Sequence, residues 1–322
     1  MPPRAPDVPR ERRERAEGRD GTWTQERRLL GRPGASGGHS MSGLDVAALR
    51  DLAVSVAREA GELLASHAGR VEVAATKSSP TDVVTEMDRR SEELIRSRIL
   101  AARPSDAVLG EEGGQTGDAD GAPARWVIDP LDGTVNYLYG LPDWAVSVGA
   151  EVGWAEGGEA GRKIVAGAVF VPVRGEMFSA HAGGGAWLEA AGAGGRTRLS
   201  CRPGVPLDQA LVGTGFGYLA ARREVQGEVL AALLPRIRDI RRAGVASVDL
   251  CAVAAGRLDG FYERGLNYWD WAAGALVATE AGAVVGGLGG APVSSSMAVA
   301  AGPGLFGPLA DALAALDPER DA

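Results

Sequence analysis

Cysteine is almost missing: in 322 residues there are only Cys201 and Cys251, and neither belongs to a CxxC pair. Two isolated thiols cannot make a disulfide framework, so a reduced, cytoplasmic setting is the simplest expectation. Histidine is as scarce. His39, His67 and His181 are scattered and share no segment with the acidic motifs, which argues against a histidine metal site and a Ser-His-Asp triad. No run of about 18 uncharged apolar residues occurs, so a transmembrane helix is not expected. Positive charge is in deficit: 42 Asp and Glu against 34 Lys and Arg leave a net charge of -8. Such a body lacks the basic surface on which nucleic-acid affinity rests. What remains is ordinary globular material, 45% hydrophobic and 24% charged. At roughly 150 residues per domain it makes two structural units or one large one.

Residues 1–43 differ from everything after them. Nine arginines and six acids lie there with almost no periodic hydrophobics, too little apolar surface to fold alone. The segment lacks the apolar region of a secretory signal and is too acidic for a transit peptide. It is expected to be a disordered extension, with Met41 as an alternative initiator; without it the body carries -11. Gly34-Ala35-Ser36-Gly37-Gly38 fits the GxSxG nucleophile pattern. No strand precedes it and no helix follows, so it is rejected.

Further on, Val46, Leu49, Ala53, Val56, Ala60 and Leu64 recur at three- and four-residue steps. That spacing predicts an amphipathic helix, capped by Ser42 and ending near residue 67. A second helix is expected from Thr85, with Asp88 as its capping partner and Pro104 as its stop. Short β-branched runs between glycine-rich turns predict strands at 126–128, 145–152 and 164–173 and a hairpin after 176. Helices are then expected near 225–234, 247–256, 269–281 and 305–316, with a strand at 260–262. This order points to an α+β half over 44–190 joined to an α/β half over 191–318.

The chemistry is concentrated in Trp126-Val127-Ile128-Asp129-Pro130-Leu131-Asp132-Gly133-Thr134-Val135-Asn136. Two aspartates three apart leave a hydrophobic strand through a turn fixed by Pro130. Such a turn can aim both carboxylates and an intervening carbonyl at one point, the all-oxygen set that Mg²⁺ favours. Gly133 and Thr134 then offer main-chain N–H groups to a phosphate. Alone, the string also fits an ordinary capped turn. Glu111 and Glu112 follow the apolar Val108-Leu109, again at a strand end, and Asp270 opens an otherwise apolar helix. Asp270 is either an N-cap or the partner of a metal.

Four blocks, 78–88, 110–114, 126–136 and 269–285, together resemble the inositol monophosphatase family of Mg²⁺-dependent, lithium-sensitive phosphatases. The resemblance implies a layered αβαβα sandwich of the sugar-phosphatase type, a homodimer, and two to three Mg²⁺ ions, with Mn²⁺ a substitute. It implies that Glu111, Asp129 and the Leu131 carbonyl hold one ion, that Asp129, Asp132 and Asp270 hold a second, and that Glu111 helps place a third. Asp88 and Thr134 are implied to activate the attacking water with Glu111, and Gly133 and Thr134 to contact the phosphate. Gly244, Ala246 and Glu263 fall where the family contacts ring hydroxyls. The implied activity is hydrolysis of inositol 1-phosphate. Histidinol phosphate, fructose 1,6-bisphosphate and 3′-phosphoadenosine nucleotides are alternatives within the fold, and a non-catalytic regulatory scaffold is the alternative of another class.

Val245 departs from the Ser or Thr usual after the pocket glycine, removing a hydroxyl that could position substrate; Tyr137 replaces the commoner Phe. Lys77 either touches substrate or is an exposed loop lysine. Asp82 either supports the Asp88–Thr134 pair or caps its loop. Arg241 and Arg242 either read a second anion or are solvated. The glycine-rich 213–217 lacks GxGxxG spacing and is expected to border the substrate pocket, and Cys251 is expected in the core.

Overall fold

A computed structural model describes residues 44–69, 73–76, 83–156 and 159–320. The expectations for 1–43, Lys77 and Asp82 lie outside the described residues. Helix α1 (Val46–His67) is capped by Asp45, whose Oδ1 accepts from the amides of Ala47 and Ala48 at 2.9 and 3.1 Å. A carboxylate one residue before the first turn satisfies two of its orphan donors, so the helix starts later than a Ser42 cap would have it. A short hairpin, β1 (Val73–Thr76) and β2 (Val83–Thr85), leads into α2 (Glu86–Ala102). There the expected capping box forms, with Thr85 and Asp88 bonding each other's backbone amides.

Then follow β3 (Ala107–Gly110), β4 (Gly114–Thr116), β5 (Ala124–Asp132), the one-turn α3 (Thr134–Leu138), β6 (Ala145–Glu156), β7 (Glu159–Val171), β8 (Glu176–His181), β9 (Gly185–Ala190) and β10 (Arg196–Arg198). The second half runs β11 (Leu211–Thr214), α4 (Ala220–Leu233), β12 (Asp239–Arg241), α5 (Ala246–Ala254), β13 (Gly260–Glu263), α6 (Tyr268–Glu280), β14 (Val284–Gly286), β15 (Ala298–Ala301) and α7 (Pro303–Ala314). The first half builds an eight-stranded sheet in the order β10-β9-β8-β7-β6-β5-β3-β4, antiparallel except where β3 meets β5. The second builds a five-stranded sheet, β12-β11-β13-β15-β14, parallel around β11.

Side-chain alternation assigns the layers. Ala168 and Phe170 of β7 join the core with α1 and α2, while Val169 and Val171 join the core with α5 and α6. Helices α4 and α7 cover the far side of the smaller sheet through Val229, Leu233, Leu305 and Leu309. The result is the expected αβαβα sandwich, with α5 and α6 between the sheets.

Close approach sets where α6 lies. Gly149 and Gly167, on neighbouring strands, face Ala272 and Ala273; a Cβ at Gly167 would stand 3.1 Å from the Ala273 Cβ and 3.2 Å from its Cα. The missing side chain lets the helix rest on the sheet. We expect Gly167→Val, whose branched side chain suits a strand, to destabilise by about 1–3 kcal/mol through overpacking alone. Gly153→Val, with open space around its Cβ, should be near neutral; urea denaturation of the two variants tests this.

Candidate functional site

Asp129 and Asp132 are an odd number of residues apart, so in a regular strand they would point to opposite faces. The ladder between β5 and β6 prevents this. Asp129 pairs with Ser147 and Asp132 with Ala145, so three steps on β5 oppose two on β6. The bulge falls at Pro130-Leu131, where proline has no amide to lose from the ladder. It turns both carboxylates toward the face covered by α6. The Pro130 carbonyl is held from behind by the Ser91 hydroxyl of α2 at 2.8 Å, and Asp129 Oδ1 accepts the Leu131 amide at 3.0 Å.

The other acids arrive from separate elements. Asp132 Oδ2 accepts the Ser247 amide in the first turn of α5 at 2.9 Å. Asp270 sits in the first turn of α6, where its Oδ2 accepts the Asn267 amide at 2.7 Å. The N-cap of α6 is thus Asn267 rather than Asp270, which completes the capping box from the third helical position with one carboxylate oxygen. Glu111 lies in the turn between β3 and β4. Burial pushes Asp129 and Asp270 well above the usual carboxylate range, and repulsion adds to it, from Glu111, Asp132 and Asp270 for the first and from Asp132 and Glu111 for the second. Burial also raises Asp132, to about 6. No cation among the described residues pairs with Asp129, Asp132 or Asp270. The acids stand within range to repel without closing into a ligand cage: no three His, Cys, Asp or Glu among the described residues converge at ligating separation.

Beside them, the Thr134 hydroxyl lies 2.9 Å from Asp88 Oδ1 and 3.1 Å from the Leu131 carbonyl, while Asp88 Oδ2 accepts both the amide and the hydroxyl of Thr85. Gly133 caps α3 at φ 92°, and a Cβ there would stand 2.9 Å from Val245 Cγ2. Only glycine meets both demands without strain.

Val245 is 1% exposed and belongs to the core around α5. The missing hydroxyl at this position is thus replaced by packing against Gly133. Tyr137 is also buried, its hydroxyl donating to the Leu64 carbonyl at 2.7 Å. Gly244 has φ 80°, Ala246 opens α5, and Glu263 ends β13. A Cβ at Gly215 would stand 2.1 Å from Glu263 Oε2, so the 213–217 segment makes room for that carboxyl. The two arginines separate: Arg241 turns to Asp239 at 2.6 Å, whereas Arg242 lies over Gly244 and 5.9 Å from the Phe216 ring. Cys251 is fully buried.

Among the buried acids that sequence reasoning missed, two stand beside the site. Glu92 of α2 accepts the amides of Glu112 and Gly113 at 2.8 and 2.7 Å while Arg96 holds it at 2.7 Å, fixing the turn that carries Glu111. Asp249 of α5 is buried near Asp132, with one oxygen unpartnered among the described residues. The signal that marked Asp270, an acid in an apolar helix, was present in Val248-Asp249-Leu250 as well.

The sequence profile of the inositol monophosphatase family matches residues 45–315. The chain belongs to this family. Such proteins are phosphoric monoester hydrolases, and so is this enzyme. It is 47% identical over 247 residues to the inositol-1-monophosphatase SuhB of Mycobacterium tuberculosis, covering 74% of this chain and 80% of that one. It is 42% identical over 240 residues to the Nus factor SuhB of Pseudomonas aeruginosa, covering 73% and 83%. The solved Mycobacterium tuberculosis SuhB superposes with a TM-score of 0.69 at 41% identity, covering 85% of this chain and 99% of the other.

In this inositol monophosphatase family member the Asp249 and Glu263 carboxyls are each pushed up to about 8, by burial first. Repulsion adds to it, from Asp132 and Asp143 at Asp249 and from Asp249 and Asp132 at Glu263; Arg242 opposes both shifts. The folded state therefore keeps these protons longer than the unfolded chain. Stability is fully retained below the unfolded value near pH 4 and declines as pH rises toward about 8. In chelator, the melting temperature should fall across that window, and less steeply for Asp249→Asn. Equal slopes would contradict the assignment.

Proposed function

We propose that the protein is a Mg²⁺-dependent phosphomonoesterase acting on a small polyol phosphate, inositol 1-phosphate foremost. The observation that carries this is the gathering of Glu111, Asp129, Asp132 and Asp270 beside the Thr134–Asp88 pair. Mg²⁺, the homodimer and a cytoplasmic setting belong to the same reading, through the family resemblance and the composition.

The residues fit hard divalent cations: every donor is oxygen, Asp129, Asp132 and Asp270 have no cationic partner among the described residues, and the repulsion between them is the kind that a cation relieves. Glu111, Asp129 and the Leu131 carbonyl would hold one ion, Asp129, Asp132 and Asp270 a second, and Glu111 would help with a third. When bound, such ions supply Lewis acidity and lower the pKa of water.

The chain's own residues do the rest. Asp88 Oδ1 accepts the Thr134 proton, so a lone pair of the Thr134 oxygen faces the attacking water and orients it. The Gly133 and Thr134 amides hold the phosphoryl oxygens. Gly244, Ala246 and Glu263 bind the polyol; the water oxygen bonds to phosphorus and gives up a proton as the ester phosphorus–oxygen bond breaks, and the leaving oxygen takes up a proton from solvent.

Phosphate release should be measured with inositol 1-phosphate, histidinol phosphate, fructose 1,6-bisphosphate and a 3′-phosphoadenosine nucleotide. Turnover should require Mg²⁺, be highest for inositol 1-phosphate, and fall by orders of magnitude in a folded Asp129→Asn variant. Absence of turnover on the whole panel would defeat the reading. Thr134→Ala should reduce kcat by roughly 10²- to 10⁴-fold with metal affinity, measured by Mn²⁺ titration, nearly unchanged; parallel losses would remove Thr134 from its role. The Nus factor name of the Pseudomonas relative favours a second reading, a regulatory scaffold that binds transcription machinery. A scaffold would keep its partner in Asp129→Asn.

A further inference from the structure

Behind α6 lies a second polar cluster that none of the roles above uses. Glu151 of β6 is 1% exposed, yet it is ionically paired on both sides: Arg125 of β5 reaches its Oε1 at 2.6 Å and Arg162 of β7 at 3.1 Å. Its Oε2 accepts the hydroxyl of Tyr268, the first residue of α6. Arg162 also donates to the carbonyls of Ala119 and Ala122, at 2.7 and 3.3 Å, so the loop before β5 is tied to the same carboxylate.

The register explains why this cluster matters. Glu151 pairs with Arg125 and Ser147 with Asp129, so the two pairs lie on one face of the sheet, four residues apart along β6. The first turn of α6 spans that interval. Tyr268 touches Glu151 at one end, and the Trp269 carbonyl lies 3.5 Å from the Ser147 hydroxyl at the other. Asp270 follows within the same turn. The Asn267 amide fixes one of its oxygens but not the direction of the helix. That direction is set by the glycine contact at Ala273 and, at the N-terminal end, by Tyr268.

We propose that Glu151 and Tyr268, braced by Arg125 and Arg162, are positioning residues that aim Asp270 at Asp129 and Asp132 for cation binding. The proposal rests on the metal-dependent reading above. A buried carboxylate held by a charge-assisted bond from Arg125 and an ion pair with Arg162 is fixed in place, and it can act as a rigid post for the tyrosine hydroxyl. Outer groups of this kind orient ligands, and their loss typically weakens metal affinity by 10- to 100-fold. Removal of one hydroxyl while both arginines stay should fall at the lower end.

Tyr268→Phe is the informative variant, because it keeps the ring that packs 4.7 Å from Trp271 and removes only the hydroxyl. Mn²⁺ binding to the full-length protein should be titrated calorimetrically without substrate, alongside thermal melting in chelator and phosphate release across a Mn²⁺ series. The expected result is a roughly tenfold weaker Mn²⁺ affinity, an almost unchanged melting temperature, and a kcat restored by added Mn²⁺ with the substrate KM unmoved. Mn²⁺ affinity equal to wild type, or a kcat deficit that Mn²⁺ does not restore, overturns the proposal. If Tyr268→Phe does not fold, Glu151→Gln is read by the same criteria. A wild-type protein that binds no Mn²⁺ would instead refute the metal-dependent reading itself.

Discussion

Repulsion between like charges held out of water is the constraint around which this protein is organised. Asp129, Asp132, Asp270 and Glu111 come from the end of one strand, the start of one helix and one turn; Glu111, Asp132 and Asp270 make Asp129 harder to ionise, as Asp132 and Glu111 do Asp270. A chain does not gather such groups by default, since separating them would relieve several kcal/mol of unfavourable burial. The surrounding structure must therefore impose the arrangement, and nearly every irregularity near the site does so. The bulge at Pro130-Leu131 turns two acids to one face, the left-handed Gly133 reverses the chain at once, and side-chain-free Gly149 and Gly167 let α6 descend onto the sheet.

Rigidity behind the acids comes from polar groups that are themselves satisfied. Glu92 is held by Arg96 and by two amides, Asp88 by both donors of Thr85, and Glu151 by two guanidinium groups and a phenol. Asn136 ties α3 to two other loops, donating to the carbonyls of Asp143 and Ala243 at 2.7 and 2.9 Å. Each of these groups spends its hydrogen bonds on protein, which fixes its rotamer. Asp129 and Asp270, by contrast, each accept one backbone amide, from Leu131 and Asn267.

Much of this was legible in the sequence where local rules decide. The α1 and α2 periodicities, the Thr85–Asp88 box and the strand before Asp129 follow from spacing and capping chemistry, and the four ordered blocks carried the αβαβα arrangement. Long-range geometry was not legible. Nothing in the string DPLDGT states that a bulge corrects the parity of its aspartates, because parity depends on pairing with Ser147 and Ala145. Short strands such as β11, β12, β14 and β15 gave little signal, since their few residues are read only against their neighbours. Val245 looked like a lost substrate contact for the same reason: sequence order puts it next to Gly244, while packing puts it against Gly133.

The two sides of the pocket solve the burial of carboxyl groups in opposite ways. On the Asp129 side no guanidinium among the described residues pairs with the acids, so only a proton or an added cation relieves their charge. On the Asp249–Glu263 side, two acids share the influence of Arg242 and sit near pKa 8, so without cations they are largely protonated at neutral pH. A protonated carboxyl both donates and accepts a hydrogen bond, which suits it to hydroxyls, whereas an ionised one only accepts. Because Asp132 contributes to the repulsion at both, neutralising Asp132 relieves part of it and favours their ionisation.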